Sequence, residues 1–129
     1  MTLRILLVDD HHDGADSMCE LLRLSGYPAK VVYGSPAALA EVAAEPPDVF
    51  ITDIGMPHLD GCELAGQVRS MCGQTPLMIA ITGYADAQTR EQFSKAGFDH
   101  FFVKPAEPDE ILAVLRQHAD RLSKEAGSE

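Results

Sequence analysis

Residues 4–10 read RILLVDD and residues 49–53 read VFITD. In each, a run of β-branched and apolar side chains stops at an acidic residue, which is how a buried parallel strand looks when its carboxyl end carries a polar group. Similar apolar runs occupy 29–32, 77–81 and 100–103, giving five expected strands. Several are apolar throughout, as required when helices cover both faces of a sheet. Between them lie longer stretches with helical periodicity, and the alternation predicts a doubly wound parallel α/β sheet with five helices.

The helices follow from spacing and punctuation. Ala15, Met18, Cys19 and Leu22 form one apolar stripe of a helix over about 13–24, which Gly26 stops. Ser35 and Pro36 supply an N-cap and an N1 proline for a second helix that ends before Pro46 and Pro47. Leu64, Val68, Met71 and Cys72 give a third helix its inward stripe. A fourth follows Asp86 and closes at Gly97. A fifth opens near Pro108, turns Ile111, Leu115 and Leu122 inward, and fades into a frayed polar tail. The expected organisation is one domain over residues 1–122 with a tail over 123–129.

With 129 residues and 46% apolar side chains, the chain is sized for a single core. Its apolar runs are too short for a bilayer span or a secretory signal, so the expected location is the cytoplasm. Cys19, Cys62 and Cys72 lack the spacing of a zinc site or a disulfide framework. A formal net charge of −10 without clustered Lys and Arg argues against direct binding of nucleic acid or an anionic membrane.

Ligands of doubly wound sheets bind beyond the carboxyl ends of the strands. The positions just past the five expected strands hold Asp9 and Asp10, then Gly34, Asp53, Thr82 and Lys104. A lone Asp after a strand is commonly a cap or turn former. Independent caps, however, would not all gather with a hydroxyl and a lysine at one sheet edge. Three carboxylates in one small site raise one another's pKa unless positive charge answers them. Lys104 supplies one charge, and a divalent cation would neutralise the remainder. Hard oxygen ligands favour Mg²⁺, with Mn²⁺ able to substitute. Thr82 and Lys104 could then hold the oxygens of a phosphoryl group arriving at a carboxylate.

These segments also carry a resemblance. Residues 6–10 (LLVDD), 52–57 (TDIGMP) followed by Asp60 and Gly61, 80–83 (AITG) and 103–105 (VKP) resemble, in order and spacing, the signatures of response-regulator receiver domains of two-component signalling, over about residues 3–122. The resemblance implies a flavodoxin-like sheet with strand order 2-1-3-4-5 and a phosphoryl group accepted at Asp53 from a phosphohistidine of a sensor kinase or phosphotransfer protein. It makes Asp10 a direct metal ligand, Asp9 a ligand through water and the Gly55 backbone carbonyl a further ligand. Thr82 and Lys104 become the phosphate contacts, and the bond between Lys104 and Pro105 is expected to be cis. Phosphorylation would reach the surface of the fourth helix, fifth strand and fifth helix through Thr82 and Phe101. Phe101 stands where relatives often carry Tyr, and Gly55 and Tyr84 occupy positions that tune phosphoryl lifetime.

The five histidines receive no role from the sequence. Adjacent residues rarely converge on one ion, so His11 and His12 are expected in the loop before the first helix. His58, His100 and His118 are isolated. A haloacid-dehalogenase-type phosphatase would need a second Asp where Gly55 stands. A flavodoxin-type cofactor binder would need a Ser/Thr/Gly-rich loop where Asp9 and Asp10 stand. A pseudo-receiver acting only in protein interaction is disfavoured by intact Asp10, Asp53, Thr82 and Lys104. The output is expected to come through an unidentified partner or an attached module.

Overall fold

The computed structural model describes residues 3–54, 61–73, 76–83, 87–104 and 106–127. Five strands and five helices alternate: β1 Ile5–Val8, α1 His12–Leu24, β2 Ala29–Val32, α2 Ser35–Ala44, β3 Val49–Asp53, α3 Gly61–Cys72, β4 Leu77–Thr82, α4 Ala87–Ala96, β5 His100–Val103 and α5 Pro108–Gly127. The sheet is parallel in the order β2-β1-β3-β4-β5. Because β1 lies between β2 and β3, the chain leaves the central strands in opposite directions, and a crevice opens beyond Val8 and Asp53.

Alternation along the strands divides the core in two. Ile5, Leu7, Val49, Ile51, Leu77 and Ile79 pack with Ala15, Cys19 and Leu22 of α1 and Ile111 and Leu115 of α5. Leu6, Val8, Phe50, Met78 and Ala80 pack with Ala38 and Val42 of α2, Leu64, Ala65 and Val68 of α3 and Phe93 of α4.

The local structure departs from the sequence expectation at several points. Arg4 is not part of β1, because its N–H donates to the Asp48 carboxylate instead of a strand. β3 and β4 each run one residue further than expected, since Asp53 pairs in register with Ile81 and Thr82 with Val103. α1 begins at His12, with His11 as its extended N-cap. Ser35 is the first residue of α2, not its cap; Gly34 takes the cap position at φ 104°, which favours glycine. Met71 is not part of the buried stripe of α3: it is 47% exposed, and Gly61, Leu64, Ala65 and Val68 are the buried residues. The fifth helix continues to Gly127, past the expected tail boundary at Leu122, consistent with the helix-forming Lys124 and Glu125.

Arg69 of α3 was not singled out by the sequence, yet it ties the opposite edge of the sheet together. Its guanidinium donates to the carbonyls of Gly73, Pro76 and Gly97 at 3.1, 2.9 and 2.9 Å and pairs with Asp99 at 3.1 Å. These bonds clamp the segments that lead into β4 and β5.

Candidate functional site

The carboxyl ends of β1 and β3 form the centre of the site. Asp9 and Asp10 follow β1 directly. Asp53, the last residue of β3, is held by ladder pairing on the β4 side and is 5% exposed. Thr82 ends β4 and is buried. By strand alternation Asp53 and Lys104 point to the face of α1 and α5, while Thr82 and Phe101 point to the face of α3 and α4. Lys104 follows β5, its N–H donating to the Thr82 carbonyl at 2.7 Å, and its Nζ lies 3.1 Å from Asp53 Oδ2. The structure therefore brings Asp9, Asp10, Asp53 and Lys104 together and sets Thr82 at the same edge.

Burial pushes the Asp53 carboxyl above its ordinary value of 3.8. Lys104 opposes that shift, and Asp9 adds to it through its charge and a side-chain hydrogen bond. The lysine thus offsets only part of the cost of a buried acid among like charges.

A cation fits this donor set on two observations. Ligand atoms of Asp9, Asp10, His11 and Asp53 all lie within 4.8 Å of one another. Asp10 Oδ1 is buried with no hydrogen-bond partner, a situation that is costly unless something else satisfies the oxygen. Oxygen-rich, acidic sites of this kind suit hard divalent ions.

His11 is the residue that sequence reasoning set aside. It does lie in the loop before α1, but its Nδ1 is 3.1 Å from Asp10 Oδ1 and 3.4 Å from Asp9 Oδ1. Its backbone N–H donates to Asp9 Oδ1 at 3.0 Å, which turns the chain back on the acids. That local turn is why neighbours in sequence converge here. An Asx-type turn after the strand was the one available signal. Beside the acids, a cleft of about 270 Å³ is lined by Asp9, His11, Met18, Ile81 and Lys104 among others.

On β5, the Phe101 ring is half-buried, 5.9 Å between centroids from Phe93 of α4, with the Arg90 guanidinium 5.4 Å from its centroid. It stands in register beside the small Ala80, two residues before Thr82. Gly55, Tyr84 and Pro105, and with Pro105 the expected cis bond, lie outside the described residues.

The family model described as the response regulator receiver domain matches residues 5–116. The chain belongs to that family. An uncharacterised 14.6 kDa protein of Leptolyngbya boryana is 34% identical over 115 residues, covering 88% of each chain. The response regulator MprA of Mycobacterium bovis is 32% identical over 129 residues, which is 100% of this chain and 56% of that protein. This receiver domain thus spans little more than half the length of that curated relative. Among solved structures, a CheY-like response regulator receiver domain protein from Methanospirillum hungatei superposes with a TM-score of 0.88 at 28% identity, covering 97% of this chain and 99% of that one. Receiver domains are signalling modules of two-component systems. Among the described residues, no helix of this one is long and apolar enough to cross a membrane.

Proposed function

We propose that this receiver domain accepts a phosphoryl group on Asp53 from a phosphohistidine of a sensor histidine kinase or a histidine phosphotransfer protein, in a Mg²⁺-dependent reaction. The observation that carries the reading is the 5%-exposed Asp53 carboxylate, with Lys104 Nζ at 3.1 Å and a cluster of further carboxylates beside it.

In this reading an Asp53 carboxylate oxygen attacks phosphorus, the bond from phosphorus to the donor's imidazole nitrogen breaks, and that nitrogen leaves with the electron pair. Burial and the charge of Asp9 disfavour the ionised, nucleophilic form of Asp53, and Lys104 together with a bound cation would restore it. Lys104 stays within reach of the phosphoryl oxygens, and Thr82, at the end of β4, supplies a hydroxyl to another. Asp10 and Asp53 would hold Mg²⁺ directly, Asp9 through water, and the Gly55 carbonyl would complete the protein's share. Bound there, the ion would supply the charge that screens the phosphoryl oxygens from the acids. The same groups would promote hydrolysis of the acyl phosphate, so the domain catalyses its own phosphorylation and dephosphorylation.

The signal would leave through Thr82 moving toward the phosphoryl group and Phe101 turning into the space behind β4, altering the α4–β5–α5 surface. The packing of Phe101 between Ala80, Phe93 and Arg90 supports a relay driven by contact, because its ring has no hydroxyl to form a hydrogen bond. We place the domain in the cytoplasm, with a partner or attached module reading that surface.

The test is intact-mass measurement after incubation with Mg²⁺ and acetyl phosphate. The wild type is expected to gain one base-labile phosphoryl group and Asp53→Asn none. An equal gain in the variant would refute the assignment.

A further inference from the structure

We infer that His11 is a metal ligand of this site and that it biases the receiver toward an imidazole-accepting, octahedral first-row transition ion such as Mn²⁺ over Mg²⁺. The inference rests on the proposed reading that Asp9, Asp10 and Asp53 hold a divalent cation, and it adds a nitrogen donor to that set.

The geometry is that of ligand atoms around one ion. For octahedral coordination at about 2.1 Å, neighbouring donor atoms sit about 3.0 Å apart. Nδ1 of His11 lies 3.1 Å from Asp10 Oδ1 and 3.4 Å from Asp9 Oδ1. At 3.1 Å the contact with Asp10 would pass for a hydrogen bond on distance alone, yet the Asp10 oxygen has no hydrogen-bond partner. The two atoms therefore sit at the spacing of neighbouring metal ligands without a hydrogen bond between them. The backbone contributes independently: the His11 N–H donates to Asp9 Oδ1 at 3.0 Å, fixing the turn that brings the ring to the acids. The ring caps nothing in α1, since the N-cap makes no side-chain hydrogen bond, and its side chain is 74% exposed. Its position is therefore not explained by packing or capping.

Chemistry then sets the preference. Mg²⁺ takes oxygen ligands and keeps its waters, whereas first-row transition ions accept an imidazole nitrogen more readily than Mg²⁺ does, Mn²⁺ least strongly among them because it too favours oxygen. A site with one imidazole among carboxylates gains affinity for the second class and little for the first. The competing explanation is an imidazolium paired with the two acids, which would repel any cation, and it predicts the opposite response to removing the ring.

Calorimetric titrations of the full chain with Mn²⁺ and with Mg²⁺, for wild type and His11→Ala, decide between these, together with pulsed electron paramagnetic resonance of the Mn²⁺ form. In wild type, Mn²⁺ is expected to bind more tightly than Mg²⁺ and to show nitrogen modulation from a directly bound imidazole. In His11→Ala, Mn²⁺ affinity should fall at least about tenfold, Mg²⁺ affinity should change much less, and the nitrogen signal should vanish. If both ions bind with an unchanged ratio in His11→Ala, the inference fails while the phosphoacceptor reading stands. Tighter binding of both ions in the variant would establish the imidazolium pairing and overturn it as well. If neither ion binds the wild type, the inference falls together with the metal dependence on which it rests.

Discussion

Gly61 opens α3 directly against the site, and its replacement by alanine is expected to damage both stability and chemistry. A Cβ at this position would sit 2.7 Å from the Asp53 carbonyl oxygen, 2.7 Å from Ile54 Cδ1 and 2.8 Å from Ile54 Cα. The Ile54 methyl can swing aside. The other two atoms are backbone, and the Gly61 N–H is itself bound to the Ile54 carbonyl at 2.9 Å, so relief requires moving the segment that carries Asp53. Overpacking of this kind costs about 1–3 kcal/mol, against a gain of roughly 0.5–1 kcal/mol for replacing a helical glycine. Because Gly61 is the first residue of α3, most of that mid-helix gain is absent, and a net loss of about 1–2 kcal/mol is expected. Gly66, five residues along the same helix, is the internal control: it is exposed and a Cβ there meets nothing within 4 Å. Gly66→Ala should gain about 0.5–1 kcal/mol from the helix term alone. Urea unfolding of the two variants and the wild type in the presence of a chelator measures both, and phosphorylation by acetyl phosphate should slow only in Gly61→Ala. Equal stability of Gly61→Ala and wild type, or equal losses in both variants, would refute the contact argument.

Arg69→Ala removes three carbonyl partners and one carboxylate partner of a side chain only 12% exposed, and should cost about 2–3 kcal/mol in urea unfolding; a loss under about 0.5 kcal/mol would show that water replaces the guanidinium without penalty. His118 is buried, and burial followed by the charge of Arg121 lowers its pKa below 6.5. Its Nδ1 lies 2.8 Å from Arg121 Nη2, so Nδ1 must accept and cannot carry a proton without losing that bond. The folded state therefore takes up the proton less readily than the unfolded chain, and stability that is complete above 6.5 should decline as pH falls through and below it. Urea midpoints from about pH 7.5 to about pH 5.5 should fall in wild type and fall less in His118→Gln. For Asp53 the direction is reversed: a carboxyl raised by burial is a cost when ionised, so Asp53→Asn should be more stable than wild type in chelator at neutral pH and should gain less from added Mg²⁺. A variant less stable than wild type under chelator would refute that.

The strand runs and the line of polar residues at their ends were legible because both are local: an apolar run followed by Asp, Thr or Lys carries its own direction and its own edge. Strand order came from resemblance, since nothing in a single apolar run states its neighbour. What stayed hidden depends on contacts distant in sequence or on exact turn geometry. Arg69 reads as an ordinary helical arginine until the fold brings Gly97 and Asp99 to it from beyond β4. Met71 fits the apolar spacing of α3 but lies in its last turn, where Arg69 reaches Pro76, and it stays exposed. His11 was discounted because neighbouring side chains normally diverge, and a single hydrogen bond from its own backbone to Asp9 reverses that rule.

The two edges of the sheet are built on opposite principles, and the difference bears on function. At the edge where the strands begin, cations are tied into carbonyls and acids: the Arg4 guanidinium binds the Glu45 carboxylate and the Pro46 carbonyl and lies 3.8 Å from the Asp48 carboxylate, while Arg69 binds the segments leading into β4 and β5. Those bonds cross between elements and fix where each strand starts. At the edge where the strands end, charge is left unbalanced: among the described residues, Asp9, Asp10 and Asp53 face a single lysine, and the buried Asp10 Oδ1 has no hydrogen-bond partner. Such an arrangement is tolerable only in a fold whose strand register is secured elsewhere, because repulsion among the acids would otherwise be relieved by loosening the loops that carry them. Each strand is four to six residues long. A rigid starting edge therefore determines the position of its acidic end to within a short lever arm, and the unbalanced charge remains concentrated on the place where a cation would balance it and so admit the further negative charge of a phosphoryl group.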